Sequence, residues 1–260
     1  MLMEPVKPLR RFQVDRLTVQ IYEDRESLGR AAAAAVGQLW RQLPGSGPVR
    51  MIFAAAPSQN EFLAHLQKQP EVDWGRVVAF HLDEYLGLPA SAPQSFHTYL
   101  RSHLFDTVHP GTIHWLNGET TVPAAECARY GALLDAAPLD IACVGVGENG
   151  HLAFNDPPVA DFEDPYTVKV VELDPKDRQQ QVNDGCFPSL DAVPRQALTV
   201  TIPPLIRSRA IVCVVPGERK AVAIRSLLTG PIDTSCPASI LRRHPQAVLF
   251  LDQASASALA

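Results

Sequence analysis

The chain has 260 residues, of which 46% are hydrophobic, with 28 acidic and 23 basic side chains and a net charge of −5. This length and apolar content suffice for one α/β domain, and no apolar stretch is long enough to span a membrane. The mild negative charge, without a basic block, argues against nucleic acid as a partner. We therefore expect a single domain over residues 1–260 that binds neither nucleic acid nor a membrane.

The cysteines and the start of the chain indicate the compartment. Five cysteines are scattered along the sequence and none forms a C-x-x-C pair, which favours reduced thiols over a disulfide frame or a zinc site. Residues 1–16 carry two prolines and several charges but no apolar signal core. The expected location is therefore the cytoplasm.

The apolar pattern predicts strands that alternate with helices. The predicted strands cover residues 17–21, 50–56, 77–82, 141–146, 167–173, 197–202, 211–215 and 248–251. The predicted helices cover residues 26–43, 58–69, 95–105, 123–136 and 217–228. This alternation is typical of an α/β fold with three layers, in which helices cover both faces of a mostly parallel, modified Rossmann-like sheet.

The most informative stretch follows the predicted strand at residues 141–146. It contains two glycines that tolerate unusual backbone angles, Gly147 and Gly150, and then His151 among acid and amide side chains. Buried strands of α/β folds end at a crevice where ligands bind. A glycine turn whose histidine caps a backbone group is the plainer alternative. The polar residues on both sides of the histidine favour a functional site.

A second candidate follows the strand at residues 77–82. Asp83 and Glu84 come at its carboxyl end, and because side chains alternate along an extended chain, the two should point in different directions. A pair of solvated turn carboxylates is the alternative. Asp83, however, should share a sheet edge with His151, and a carboxylate and an imidazole in one crevice can transfer a proton next to a carbonyl.

Two further residues could bind an anion. Ser58 begins a predicted helix and either offers its hydroxyl and the helix N–H groups to an anion, or caps the helix in a capping box with Glu61. Lys220 also lies at a helix start, where it is either an exposed side chain or the partner of an anionic ligand. The remaining histidines lack metal-ligand spacing, although His81 could share a face with Asp83. We therefore expect neither a metal nor a cofactor.

Four segments together resemble the glucosamine-6-phosphate deaminases (isomerases), within the wider group that includes the 6-phosphogluconolactonases. They are residues 80–89 (FHLDEYLGLP), 145–157 (GVGENGHLAFNDP), 193–200 (VPRQALTV) and 217–221 (GERKA). The resemblance extends over roughly residues 52–252. In the lactonase branch a Ser-Leu-Phe-Pro type run typically follows the histidine, whereas Phe154 and Asn155 stand here, as in the deaminases.

The resemblance implies a role for each candidate residue. Asp83 would be the base that moves a proton between C2 and C1 of the sugar, and His151 would open the pyranose ring. Asn149 falls where many members have an aspartate that orients the histidine, and Asp156 falls where a glutamate is usual. The predicted substrate-binding residues are Ser58 and Lys220, which would hold the phosphate, and Gly147.

Some positions depart from the family pattern. The loop at residues 54–59 reads AAAPSQ, without the usual glycines and threonines, and residues 179–187 lack a clear counterpart of a typical arginine. Even so, the resemblance implies that glucosamine 6-phosphate gives fructose 6-phosphate and ammonia, and the protein could be a homo-oligomer. Hydrolysis of a sugar-phosphate lactone, or a sugar-phosphate sensor without turnover, are the alternatives.

Overall fold

The computed structural model describes residues 6–259, apart from the side chain of Asp177. Residues 1–5 and 260 lie outside this range, so the start of the stretch considered as a signal segment is not covered, and the predicted 1–260 domain stays a prediction. Within residues 6–259, no helix combines the length and the apolar character needed to cross a bilayer.

The described chain alternates strands and helices, as predicted. The strands are β1 (Arg10–Val14), β2 (Leu17–Tyr22), β3 (Val49–Phe53), β4 (Val77–His81), β5 (Asp83–Tyr85), β6 (Thr112–Ile113), β7 (Ile141–Val144), β8 (Val168–Glu172), β9 (Gln196–Val200), β10 (Ala210–Val215) and β11 (Ala247–Asp252). The α-helices are α1 (Arg25–Trp40), α2 (Asn60–Leu66), α3 (Phe96–Leu100), α4 (Asp106–Val108), α5 (Pro123–Asp135), α6 (Pro175–Asn183), α7 (Ile202–Ile206) and α8 (Ala221–Thr229). A π-helical stretch, Arg101–Phe105, joins α3 to α4, and short 3-10 turns include Pro57–Gln59, Glu218–Lys220 and Pro237–Arg243.

Eight strands form the main sheet, in the order β1-β2-β11-β10-β7-β3-β4-β6. Every neighbouring pair in it is parallel except β1 and β2. The carboxyl ends of β3, β4, β7 and β10 therefore meet at one edge of the sheet. The predicted mostly parallel sheet is confirmed.

Two apolar clusters cover the two faces of this sheet. On one face, α1 and α2 contribute buried side chains such as Val36 and Phe62. On the other face, α5 and α8 contribute Leu134, Ile224 and Leu227. At roughly 25 cal/mol per Å² of apolar surface buried, these faces supply most of the stabilising free energy. The arrangement confirms the predicted three layers.

A smaller antiparallel sheet, in the order β5-β9-β8, lies outside the main one. It differs from the prediction, since residues 167–173 and 197–202 were expected in the parallel sheet. Only Leu82 separates β4 from β5, so the chain leaves the parallel sheet and immediately pairs Asp83 with Thr199 of β9. This switch fixes the backbone of Asp83 at the edge where the parallel strands end.

The elements that the sequence analysis missed include β1 and α6, and several predicted boundaries differ from the observed ones. Strand β1 has the sequence RRFQV and is mostly exposed at the sheet edge, so it lacks an apolar run. Helix α6 has the sequence PKDRQQQVN and is too polar to show a helical apolar stripe. The strand predicted to reach Ile202 ends at Val200, because Ile202 begins α7 with two prolines in its first turn.

Candidate active site

A pocket opens at the carboxyl ends of the parallel strands. The space between its walls is about 500 Å³, part of it open to solvent. Five of the seven predicted site residues line it: Ser58, Asp83, Gly147, His151 and Lys220. The other two, Asn149 and Asp156, are not in the pocket lining but form hydrogen bonds with His151.

Asp83 and Glu84 have different surroundings, as the alternation of an extended strand predicts. Asp83 is 7% exposed and lines the pocket. The Glu84 carboxylate turns away and accepts three backbone N–H bonds at 2.9–3.2 Å, from residues 85, 96 and 97. Burial raises the pKa of Glu84 to about 7, against the lowering effect of those three bonds. Asp83 is therefore the carboxyl group that can meet a ligand.

His81 does not share the pocket with Asp83. Its ring is buried, and Nε2 accepts a hydrogen bond of 2.8 Å from the backbone N–H of Leu116. Burial lowers the pKa of His81 to about 3. The imidazole is thus a neutral core group that supports the chain beneath the site.

His151 and Asp156 form a buried pair. The imidazole Nδ1 lies 2.9 Å from Oδ1 of Asp156, whose side chain is 1% exposed. Burial by itself raises the pKa of Asp156, but the hydrogen bond and charge of His151, helped by Asn149, hold it below its ordinary value. A carboxylate can only accept, so Nδ1 carries a hydrogen and donates it to Asp156. The atom of His151 that can exchange a proton with a ligand is therefore Nε2.

Asn149 supports this pair without touching the imidazole. Its Oδ1 accepts a hydrogen bond of 3.1 Å from the backbone N–H of His151, and its Nδ2 donates one of 2.7 Å to Oδ1 of Asp156. The bond that orients the imidazole therefore comes from Asp156, and Asn149 holds the carboxylate that makes it. Although aspartate is one methylene shorter than glutamate, it reaches the imidazole in this structure.

Gly147 leaves the space that the His151 ring occupies. A Cβ atom at Gly147 would lie 2.2–2.4 Å from three atoms of the imidazole, far inside van der Waals contact. The turn continues through Gly150, whose φ of +87° is in the left-handed region that favours glycine. Gly147 lines the pocket as predicted, and its lack of a side chain sets the position of the ring.

The alternative in which Ser58 and Glu61 form a capping box is excluded by the structure. Ser58 lies inside the 3-10 turn Pro57–Gln59, whose N-cap is Ala56 without a side-chain bond. Glu61 instead pairs with Arg25 of α1, with N–O distances of 2.9 and 3.0 Å. This pairing is possible because Gly29 lets α1 and α2 approach closely, as a Cβ there would lie 2.7 Å from the backbone of Glu61. Ser58 is consequently not committed to capping α2.

Lys220 is buried, which excludes the alternative of an exposed surface lysine. It ends the 3-10 turn Glu218–Lys220 after β10 and is 7% exposed. Among the described residues that line the pocket, it is the single lysine or arginine. Positive charge is therefore concentrated at one place in the wall. Within residues 6–259, no three or more His, Cys, Asp or Glu side chains are grouped so that they could hold a metal ion.

Comparison with known proteins identifies the family of the chain. The family model described as Glucosamine-6-phosphate isomerases/6-phosphogluconolactonase matches residues 23–250. The chain belongs to this family. A glucosamine-6-phosphate deaminase of Listeria monocytogenes is 37% identical to it over 214 residues, which are 82% of this chain and 89% of the relative.

Solved structures of the family share the fold. A monomeric glucosamine-6-phosphate deaminase superposes with a TM-score of 0.85 at 30% identity, covering 92% of this chain and 99% of that one. A 6-phosphogluconolactonase from Leishmania guyanensis gives a TM-score of 0.75 at 17% identity, with 93% and 98% covered. At that identity the lactonase shows only that the fold is the same.

Helix α6 contributes pocket residues that the sequence analysis missed. Gln180 and Gln181, both buried, line the pocket. Gln180 Oε1 accepts a hydrogen bond of 2.8 Å from the backbone N–H of Glu148, which ties α6 to the turn before His151. The available signal was Asp174 followed by Pro175, since Asp174 caps the helix and proline suits its first turn. These two glutamines form part of the pocket wall, and they lie in the segment, residues 179–187, that lacks a counterpart of the typical arginine of the family.

Proposed function

We propose that this chain converts glucosamine 6-phosphate to fructose 6-phosphate and ammonia. The observation that carries the proposal is the convergence of Asp83, the His151–Asp156 pair and Lys220 on one pocket. The naming of the Listeria relative as a glucosamine-6-phosphate deaminase supports the same reaction. An imidazole, a carboxylate and a cation are the groups that this chemistry needs.

His151 opens the sugar ring in this proposal. Ring opening requires a proton at the ring oxygen and removal of one from the hydroxyl at C1. The Asp156 carboxylate holds Nδ1–H and stabilises the imidazolium that forms when Nε2 takes up a proton. Asn149, which donates to the same carboxylate, keeps it in place. General acid–base groups of this kind contribute about 10²–10⁴-fold to a rate.

Asp83 moves the carbon-bound proton. Once the ring is open, the aldehyde at C1 acidifies the hydrogen at C2. Asp83 takes that proton and returns it to C1, while the C1 oxygen gains a proton and the ammonium group loses one, which converts the aldehyde and amine into an alcohol at C1 and an iminium group at C2. Water then adds at C2 and ammonia leaves, so that one water is consumed for each ammonia released. Every step is a proton transfer, an addition or an elimination, and none changes the oxidation level of the whole molecule.

Lys220 and Ser58 hold the phosphate at the other end of the substrate. A phosphomonoester carries about −1.5 to −2 charges at neutral pH, and a buried lysine beside it forms a charge-assisted hydrogen bond. The desolvation that a buried lysine suffers is offset when such an anion binds.

The test is turnover of a panel of four compounds, followed as ammonia release for the amino sugars and as hydrolysis for the lactone. Glucosamine 6-phosphate should release ammonia and produce fructose 6-phosphate, and unphosphorylated glucosamine should release ammonia far more slowly. Galactosamine 6-phosphate measures selectivity at C4, and 6-phosphogluconolactone tests the lactonase alternative. Faster hydrolysis of the lactone than deamination of either amino sugar would replace the proposal. Binding of glucosamine 6-phosphate without any ammonia would favour a sensor.

A further inference from the structure

Gln181 is a largely buried residue of the pocket wall, and its side-chain amide can bind a ligand. It is 8% exposed, and none of the hydrogen bonds among residues 6–259 involves its side-chain amide. The adjacent Gln180 differs, since its Oε1 is bonded to the backbone N–H of Glu148. The amide N–H groups and carbonyl oxygen of Gln181 are therefore available to a ligand that enters the pocket.

Gln181 lines the same pocket as Ser58 and Lys220. Its backbone carbonyl accepts a hydrogen bond of 3.0 Å from the backbone N–H of Cys186. The neighbouring Gln180 is bonded to the turn before His151. The main chain that carries Gln181 is therefore held in place on the pocket wall.

A phosphate bound in this pocket needs neutral hydrogen-bond donors in addition to Lys220. A phosphate brings up to two negative charges and three acceptor oxygens, whereas Lys220 is the single lysine or arginine among the described lining residues. A glutamine amide offers two N–H donors without adding charge. Serine and glutamine can thus complete the hydrogen bonding that one lysine begins.

We propose that Gln181 donates an amide N–H to the phosphate of the sugar-phosphate substrate and so helps to select phosphorylated sugars. This inference rests on the proposed function only in taking a sugar phosphate as the ligand. In this proposal a neutral side chain of α6 binds the phosphate together with Lys220.

The experiment measures binding of glucitol 6-phosphate by calorimetry. This hexitol phosphate has neither the amine nor the carbonyl needed for turnover, so binding is observed by itself. Gln181→Met removes the amide at similar volume, and Gln181→Glu keeps the shape but replaces donors with a negative charge. The matched control is Gln179→Met, on the exposed side of the same helix.

Gln181→Met should weaken binding about 10-fold or more, which corresponds to ~1.4 kcal/mol, while Gln179→Met leaves it unchanged. Gln181→Glu should weaken it at least 10-fold beyond Gln181→Met, because a carboxylate repels the phosphate. Equal affinities for Gln181→Met and Gln179→Met overturn the proposal. It is also overturned if Gln181→Glu binds as well as Gln181→Met, since a carboxylate can accept from a sugar hydroxyl.

Two further readouts complete the test. In ammonia release, Gln181→Met should raise KM with kcat within about twofold, as expected for a group that binds the part of the substrate that does not react. If the wild-type protein binds glucitol 6-phosphate but releases no ammonia from glucosamine 6-phosphate, the proposed reaction fails while the Gln181 contact stands. Should either variant lose its fold, Gln181→Asn, which shortens the amide by one methylene, gives the same comparison, and wild-type affinity in it overturns the contact.

Discussion

Replacing Gly147 with alanine should disable the site through the position of the His151 ring. The new Cβ would lie 2.2–2.4 Å from three ring atoms, and ordinary contact between carbon atoms needs about 3.5 Å. The ring must therefore retreat by about 1.2 Å. The hydrogen bond from Nδ1 to Asp156 is 2.9 Å long, and a shift of that size in any direction moves Nε2 and alters the geometry of this bond.

The size of the effect follows from this displacement. A misplacement of about 1 Å in a catalytic group can cost roughly 10²-fold in rate, so we expect kcat to fall about 100-fold. The free energy of unfolding should fall by at most about 3 kcal/mol, the upper value for one hydrogen bond to a charged group. The substrate should still bind, because Lys220 and Ser58 are unchanged.

The assay is steady-state ammonia release, with thermal unfolding to verify that the variant is folded. Gly45→Ala is the matched control, since a Cβ at Gly45 would meet nothing within 4 Å. A folded Gly147→Ala variant that keeps kcat within threefold of the wild-type value would refute the reasoning. It would mean that the ring position seen here is not required for turnover.

Three other outcomes are expected. Lys220→Ala should raise KM for glucosamine 6-phosphate about 10-fold or more, as for a charge-assisted contact of ~1.5–3 kcal/mol; an unchanged KM removes Lys220 from the phosphate site. Burial lowers the pKa of His81 from 6.5 to about 3, so the stability conferred by its neutral ring is complete above about pH 6.5 and is lost as pH falls towards 3, at up to ~1.4 kcal/mol per pH unit. His81→Gln, which keeps an acceptor for the N–H of Leu116, should flatten the fall in unfolding free energy measured with urea between pH 6.5 and 4.5, and equal slopes contradict this. Ammonia release should survive exhaustive chelation, because the proposed steps use only side-chain acids and bases; activity lost with chelator and restored by zinc or magnesium would show a metal requirement.

The apolar strands were the most predictable part of this fold. A continuous apolar run such as residues 77–82 indicates a buried strand, because both faces of a parallel sheet are covered and both sets of side chains are apolar. The structure places β4 at Val77–His81. Strand β5 could not be anticipated, because three residues carry no periodic signal. Its pairing with β9 is a tertiary contact, and it is this contact that fixes Asp83 at the pocket.

The site was predictable where the chain itself crowds polar residues together. The turn from Gly147 to Asp156 crowds polar residues around His151, which indicated a site, although the orienting role was expected at position 149 and the carboxylate bonded to the imidazole is that of Asp156. The walls that come from distant segments were harder to foresee. Glu61 fits the spacing of a capping box, yet its carboxylate pairs with Arg25, 36 residues away in sequence. Gln181 went unnoticed because a polar helix has no apolar stripe to reveal which side is buried.

Exchange of the C2 hydrogen with solvent reports the transfer of the carbon-bound proton by itself. The measurement is proton NMR of glucosamine 6-phosphate in deuterated buffer with each variant. Asp83→Asn should bind the substrate but abolish exchange, because Asp83 is the carboxyl group that lines the pocket. His151→Gln should slow turnover yet retain detectable exchange, since the sugar ring also opens slowly in water. Exchange by Asp83→Asn at near the wild-type rate would show that another residue is the base.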